Sequence, residues 1–147
     1  MAITQTLTTS FKKALLDGEM DFSDDTSQAF KIALYTNLAE LDASTTQFTD
    51  TNEVSVTDTN YVGGGNTLTP TVSTSGTTAF LDFADTSWSD ATFTARGALI
   101  YKSGGTSPSI AVLDFGSDKT VTSGTFTVTF PTNDATNAII RIEWGKQ

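Results

Sequence analysis

The sequence contains neither cysteine nor histidine among its 147 residues. Without cysteine, disulfide bonds and thiolate metal sites are excluded. Without histidine or cysteine, the serine and threonine hydroxyls have no ordinary base to activate them, and there is no thiolate nucleophile. These two absences leave carboxylate pairs as the main candidates for acid–base chemistry.

Basic residues and long apolar runs are also scarce. Only 8 Lys and Arg oppose 17 Asp and Glu, which gives a formal net charge of −9. Phosphate binding draws on clustered Lys and Arg, and these are scattered, so nucleic acid is not an expected partner. There is no run of about 18 apolar residues and no basic and apolar signal region at the N-terminus. We therefore expect a chain made in a cytoplasm, with no membrane partner and no export by a visible signal.

Aromatic residues and threonine are what the chain has in quantity. Ten Phe, two Trp and three Tyr can supply a core, and each buried Phe contributes about 1.5–3 kcal/mol relative to exposure. Threonine is β-branched and suits strands with one polar face. The length fits one domain.

The stretch WSDATFTARGALIY, at positions 88–101, is the best candidate for a central strand. Side chains alternate between the two faces of a strand. Strict alternation from position 93 puts apolar residues on both faces, as expected for a strand that is covered on both sides. One face would hold Phe93, Ala95, Gly97, Leu99 and Tyr101, and the other Thr94, Arg96, Ala98 and Ile100.

Further strands are predicted on either side of this stretch, linked by Gly and Ser turns such as 63–65 and 123–124. Pro70 cannot donate to a strand ladder, so its strand is placed at an edge or bulge. The last strand, 138–144, would point Ala138, Ile140, Ile142 and Trp144 inward. This pattern of short strands predicts an all-β fold, an antiparallel β-sandwich of jelly-roll-like or immunoglobulin-like type. The strands at 29–36, 68–73, 78–84, 109–115 and 125–130 complete it.

The N-terminal residues predict an extended polar arm followed by a short helix. Thr9 or Ser10 can cap the helix, Phe11 and Leu15 fall on one side of it, and Gly18 can end it. Two helical turns are marginal alone, so tertiary or intersubunit packing must hold them. We expect residues 1–22 to form the arm and helix, with the arm docked on a partner or neighbouring subunit, and residues 23–147 to form the sandwich.

Three charged residues are candidates for a site within the strands. Asp82 and Asp114 could act as a glycosidase-like acid pair if their strands are neighbours. Arg96, in the predicted central strand, would need a carboxylate to offset its desolvation if it is buried. We therefore predict a buried ion pair of Arg96 with Asp82 or Asp114; the alternative is an arginine that extends to the surface.

The sequence offers candidates for two further kinds of site, calcium binding and sugar stacking. The acidic segments lack the Asp-x-Asp-x-Asp-Gly register of an EF-hand, so solvated loops are favoured and no metal or other cofactor is expected. Aromatic residues could stack on sugars, although in a sandwich they more often cover the core. The calcium candidates are Asp21, Asp24 and Asp25, or Asp85 and Asp90; the aromatic candidates are Phe48, Tyr61 and Trp88.

Four segments in order resemble a family of small tailed-bacteriophage virion proteins. They are SFKKALLDGEMDF, FKIALYTNLAELDASTTQFTDTNEV, YVGGGNTL, and the block AFLDFADTSWSDATFTARGALIYK with AVLDFGSDKTVTSGTFTVTFPTNDATNAIIRI. The resemblance covers positions 10–142, and its most specific part is 88–101 followed by 111–116. It implies a structural protein of the virion with no enzymatic activity and no catalytic residues.

Within that resemblance we expect a capsid decoration or cement protein. Its partners would be the major capsid protein or other virion proteins, and it would be a homo-oligomer. Phe11, Leu15 and Leu16 are the expected partner-binding residues. The alternative is a tail, neck or fibre module that binds a host receptor or carbohydrate, and a hydrolase is the third possibility.

Overall fold

The computed structural model describes residues 2–23 and 27–145. These residues form two antiparallel sheets that pack against each other, with one short helix near the N-terminus. The elements are β1 (Thr6–Leu7), α1 (Thr9–Leu16), β2 (Ala29–Tyr35), β3 (Asn66–Leu68), β4 (Pro70–Ser75), β5 (Thr78–Phe83), β6 (Thr86–Ser103), β7 (Ser109–Val128) and β8 (Ile140–Ile142).

The larger sheet has the strand order β1-β7-β6-β2-β3, and the smaller sheet has the order β4-β5-β8. The prediction of an all-β sandwich with a short N-terminal helix is confirmed. β6 lies between β7 and β2, so the predicted central strand is central. β4 is an edge strand that begins at Pro70, as expected for a residue without a backbone N–H.

The turn predicted at Ser123 and Gly124 is wrong, because β7 runs through both residues. Ser123 has φ 47°, and the pairing of β6 with β7 shifts register around this point. A Ser-Gly pair can take the unusual backbone of a bulge as readily as that of a turn. Two long strands therefore replace several of the short ones that the sequence predicts.

A second irregularity changes which face the central strand presents. Ala95 pairs with Lys119 and Gly97 with Asp114, so Arg96 alone on β6 faces residues 115–118 on β7. Simple alternation from the residues before this bulge therefore no longer predicts which face the side chains after it occupy. The predicted faces are wrong beyond the bulge: the main core takes Phe93 and Ala95 and then Ala98 and Ile100, whereas Leu99 and Tyr101 join a second cluster.

The two clusters cover both faces of the larger sheet. The main core lies between the sheets. The second cluster packs under the loop that follows β2. Its buried members are Ala33, Tyr35, Ala39, Leu41, Leu99, Tyr101 and Val112, with Ile3 and Phe48 packed against them.

The N-terminal segment is part of this sheet and not an arm that reaches a neighbour. Thr6 pairs with Val112 in β7. Thr4 N donates to Leu41 O at 2.8 Å, and Thr8 N donates to Ile110 O at 3.0 Å. The prediction of an arm docked on another subunit is therefore wrong, because the edge of β7 in the same chain already supplies the hydrogen bonds that hold it.

The helix begins one or two residues earlier than the two predicted caps would place it. Thr8, not Thr9 or Ser10, is the N-cap, and its Oγ1 accepts from Phe11 N at 3.4 Å. Gly18 follows the helix with φ 75°, which confirms it as the stop.

Residues from the predicted N-terminal unit lie in the same core as the sandwich. Phe22 stacks on Phe30 with ring centroids 4.5 Å apart, and Phe11 meets the edge of Phe22 at 6.1 Å. A boundary at 22/23 therefore does not separate two cores. At the other end, Ile142 and Trp144 are exposed, so the prediction that both point inward is wrong.

Candidate protein-binding surface

An apolar groove lies between α1 and one end of the smaller sheet. The helix covers this end of the sheet only in part, because its eight residues make about two turns. The space left open is about 100 Å³, and every side chain that lines it is apolar. The lining residues are Phe11, Leu15, Phe22, Val72, Ala79, Phe80, Leu81, Ile140 and Ile142.

Two of the lining side chains, and two apolar residues close in the sequence to residues of the lining, are exposed to solvent. Leu16 on α1 is 89% exposed, and Val72 on β4 and Ile142 on β8 are 53% and 56% exposed. Trp144, two residues beyond Ile142, is 84% exposed. Scattered exposed apolar residues are normal, but a group of them around an apolar groove is typical of a binding surface. We call the groove with Leu16, Val72, Ile142 and Trp144 the α1 groove surface.

The three residues predicted to bind a partner have different positions. Phe11 is 1% exposed and belongs to the main core, so its assignment as a contact residue is wrong. Phe11 and Leu15 share the inner side of the helix, and the same side holds α1 on its own sandwich. Leu15 is half-buried in the groove, and Leu16 points to solvent. Only these last two are accessible to a partner.

Arg96 pairs with Asp114 and not with Asp82. Arg96 Nε lies 3.7 Å from Asp114 Oδ1, and Nη1 lies 3.7 Å from Asp118 Oδ1. The Arg96 side chain is 37% exposed. The predicted pairing of Arg96 with Asp114 is therefore present, but the prediction that this pair is buried is wrong. The bulge at Arg96 turns the side chain toward the irregular part of β7, where Asp118 adds a second carboxylate. Pairs at this exposure contribute at most about 1 kcal/mol.

Asp82 lies in the smaller sheet, opposite Thr71 of β4. It is buried; Oδ1 accepts from Phe83 N at 2.9 Å, and Oδ2 has no hydrogen-bond partner among the described residues. Burial raises the pKa of this carboxyl above its ordinary range. Because Asp114 lies in the larger sheet, the two acids are not on neighbouring strands, and the condition for a glycosidase-like acid pair is not met.

Two of the calcium candidates accept backbone hydrogen bonds, one from its own loop and one from a distant segment. Asp85 Oδ1 accepts from Phe130 N at 2.8 Å, and Asp21 Oδ1 accepts from Ser23 N at 2.9 Å. Asp24 and Asp25 lie outside the described residues. Across residues 2–23 and 27–145, no group of three ligating side chains is close enough to hold a metal ion.

The aromatic residues considered as candidates for sugar stacking are covered by the protein, in line with the favoured expectation that they cover the core. Trp88 and Tyr61 are buried in the main core. Phe48 is half-buried and stacks on Tyr101 with ring centroids 4.6 Å apart. Among the residues that the structure describes, Trp144 is the strongly exposed aromatic side chain, whereas the sequence pattern predicts it in the core.

A polar cluster at the three-glycine turn is satisfied within the chain. Glu53 Oε1 accepts from Tyr61 Oη and from Gly64 N, both at 2.7 Å, and Tyr101 Oη donates to Gly64 O at 2.7 Å. Burial raises the pKa of the Glu53 carboxyl and that of the Tyr61 phenol above their ordinary values. Burial also raises the pKa of Tyr101, to about 12. These bonds fix the turn at 63–65 against β2 and β6. The cluster is a structural brace.

Comparison with known proteins gives no match to a family model, to a curated protein or to a solved structure. In the part of the chain that the structure covers, the helix is too short to cross a membrane.

Proposed function

We propose that this chain is a non-enzymatic structural protein of a tailed-phage virion. In this proposal it is a capsid decoration protein that binds the major capsid protein through the α1 groove surface. The observation that carries the proposal is an apolar groove whose lining includes the exposed Val72 and Ile142, next to the helix in which the sequence places the contact residues.

The size of this surface favours a partner in a repeated lattice. Burying one exposed leucine contributes about 1.5–3 kcal/mol, so four side chains support a modest interface and not a large obligate one. In a symmetric shell each copy meets several neighbours at high effective concentration, and modest contacts then suffice. The net charge of −9 keeps many adjacent copies soluble before assembly.

The non-enzymatic part of the proposal rests on residue chemistry. The chain has no histidine or cysteine, and the acids considered for glycosidase chemistry, Asp82 and Asp114, lie in different sheets.

The test measures how many copies of the chain are present in purified particles relative to the major capsid protein. Leu16→Asp places a charge in the α1 groove surface and should lower the copy number about tenfold or more, since tenfold corresponds to about 1.4 kcal/mol. Leu38→Asp is the matched control, because Leu38 is 59% exposed in a loop on the other side of the larger sheet. Both variants should unfold at the temperature of the wild type.

Absence of the wild-type chain from particles would overturn the proposal. Full occupancy by the Leu16→Asp variant would show that the α1 groove surface is not the contact. The same copy number separates the shell from the tail, neck or fibre: hundreds of copies indicate the shell, and tens at most indicate the alternative.

A further inference from the structure

β7 has a free edge over much of its length. β1 pairs with Ala111 and Val112 on the side away from β6. Next to that pairing, the Gln5 side chain accepts from Asp114 N at 3.2 Å, so a side chain takes the place of a backbone acceptor. From there to Val128, no described strand pairs with this side of β7.

A groove of about 790 Å³ lies along this edge. Residues 125–131 all line it, and so do residues 137–139, which lead into β8. Several apolar side chains of the lining are only half-buried: Leu113, Phe115, Val121, Phe126 and Ile139. An occupant that pairs with the edge would therefore also remove apolar surface from water, which is favourable.

The last residues of this edge are suited to pairing. Strand edges that stay unpaired are commonly blunted by charged side chains, proline or bulges. β7 is irregular opposite Arg96 and at Ser123, but residues 126–128 pair regularly with β6. This regular segment contains neither a charged residue nor proline. Its outward N–H and C=O groups can be satisfied by another extended chain.

The side chains of this segment match those of a second copy in antiparallel orientation. Phe126 and Val128 point toward the main core, and Thr127 is exposed on the other face. With a twofold axis at Thr127, Phe126 of one copy lies opposite Val128 of the other, and the two Thr127 side chains lie opposite each other. Residues directly opposite share one face of a sheet, so apolar side chains meet apolar ones and threonine meets threonine.

The charges at the edge also favour a second copy. Residues 120–133 contain no charged side chain, so two copies can approach here without placing like charges opposite each other. Charges of opposite sign flank this neutral stretch. Lys119 lines the groove, and Asp134 Oδ2 accepts from Nδ2 of Asn137, another lining residue, at 2.9 Å. Antiparallel pairing runs the Lys119 end of each copy alongside the Asp134 end of the other, so the two ends are complementary.

We propose that two copies of this chain pair through their β7 edges at residues 125–129, as antiparallel strands about a twofold axis at Thr127. Such an interface uses the same surface on both copies and closes at two. The inference goes beyond the proposed function, and it leaves the α1 groove surface free.

The first test measures association of the wild-type chain. Sedimentation equilibrium is recorded up to about 1 mM chain, a concentration that reveals even a weak complex. The buffer contains about 0.15 M salt, which screens repulsion between acidic groups more than about 8 Å apart. The mean mass should rise toward that of two chains and no further. Backbone amide hydrogen exchange, followed by NMR, should slow at the outward amides in 125–128 as concentration rises, and should stay unchanged at Ala111 and Val112.

Charge variants at Thr127 test the position of the axis. Thr127→Lys and Thr127→Glu each place like charges opposite each other and should weaken association about fivefold, the order expected for such a cross-strand pair. An equimolar mixture of the two variants places opposite charges there and should recover the association. Thr74→Lys is the matched control, because Thr74 is exposed on the edge strand β4 of the smaller sheet, and it should associate like the wild type. Thermal unfolding of each variant at low concentration reports on the fold.

A chain that stays monomeric up to this concentration would overturn the inference and leave the edge to a different protein. Protection at β4 or α1 in place of 125–128 would also overturn it, as would a mass that grows beyond two chains. So would a mixture of the Thr127 variants that associates no better than each variant alone. If a Thr127 variant does not fold, the exchange pattern of the wild-type chain decides. Failure here leaves the capsid test unaffected, because that test concerns the α1 groove surface.

Discussion

At the scale of single residues, Gly65 is the position where the backbone approach is closest. Its φ is 79°, and a Cβ there would lie 1.7 Å from the carbonyl oxygen of Ile32. Gly76 has a similar φ of 57° but has nothing within 4 Å of an added Cβ. The two glycines therefore separate the cost of a left-handed backbone from the cost of overlap.

We expect Gly65→Ala to lower the free energy of unfolding by at least about 2 kcal/mol more than Gly76→Ala. A left-handed conformation costs an alanine roughly 1–2 kcal/mol at either site, and at position 65 the turn must also move away from β2, with overpacking typically costing 1–3 kcal/mol. Urea unfolding of the two variants measures the difference. Equal losses would contradict the close approach of the 63–65 turn to Ile32.

Asp82 is the residue whose charge should oppose folding near neutral pH. Its pKa is raised by burial, so its contribution to stability is fully present below the unfolded pKa and is lost as pH rises through the folded pKa. Asp82→Asn should raise the free energy of unfolding at pH 7, and the gain should shrink in mild acid. The exposed Asp50 gives the control, Asp50→Asn. A loss of stability at pH 7 in Asp82→Asn alone would show that the carboxylate is needed.

At the scale of elements, the start of α1 depends on a buried pair of hydroxyls. Thr8 and Ser109 are fully buried, and Ser109 Oγ lies 2.9 Å from Thr8 Oγ1 and 2.7 Å from Thr45 O. Thr8 Oγ1 also caps the helix. These contacts join β1, α1 and β7 into one unit.

Thr8→Ala should lower the free energy of unfolding by about 2–3 kcal/mol. Loss of the cap costs about 1 kcal/mol, and a buried hydroxyl that loses a partner costs about 1–3 kcal/mol. Thr8→Ser keeps the hydroxyl and should recover most of the loss. Chemical unfolding of both variants measures it. If Ser is no better than Ala, the hydroxyl pair does not hold the helix.

Local pattern identified the strands and the helix well, and failed where pairing decides the outcome. The central strand, the edge strand at Pro70 and the helix stop at Gly18 follow from side-chain period and backbone chemistry. The bulge at Arg96 does not, because it depends on β7 placing four residues opposite this single residue and not on the sequence around Arg96. The sequence around the N-terminal segment does not predict its strand pairing, because the partner strand β7 lies about a hundred positions away in the chain.

The candidate site was predictable only on its helical side. Phe11 and Leu15, four residues apart, mark the inner side of α1. Such a pair indicates that this side packs against something, but it does not distinguish packing within the chain from packing with a partner. In the structure Phe11 packs within the chain. The other wall of the groove, with Val72 and Ile142, needs knowledge of which strands flank the helix. The alternating pattern predicts a buried Trp144, but β8 ends at Ile142, and beyond it strand alternation no longer decides which side chains face the core.

At the scale of the whole molecule, acidic side chains act on stability in opposite directions. Burial raises the pKa of Glu53 and of Asp82, so their contributions are lost as pH rises through their folded values. Hydrogen bonds from Ser44 lower the pKa of Asp42, and those from Asn137 lower that of Asp134. The contributions of these two are present above the unfolded pKa and are lost as pH falls through the folded one.

These opposite signs predict a stability maximum in mild acid. At about pH 5 Glu53 and Asp82 bind more protons folded than unfolded, while Asp42 and Asp134 are still ionised. The self-repulsion of a net charge of −9 is also smaller there, since the pI is about 4.1. Urea unfolding should therefore give a higher midpoint at about pH 5 than at about pH 7.5, with a fall below about pH 3.5.

Added salt at pH 7.5 should recover part of the difference in midpoint between the two pH values, because salt screens the repulsion. The part of that difference that salt does not recover should be smaller in the Asp82→Asn variant. A midpoint that rises steadily to pH 7.5 would contradict the buried, proton-binding state of both acids.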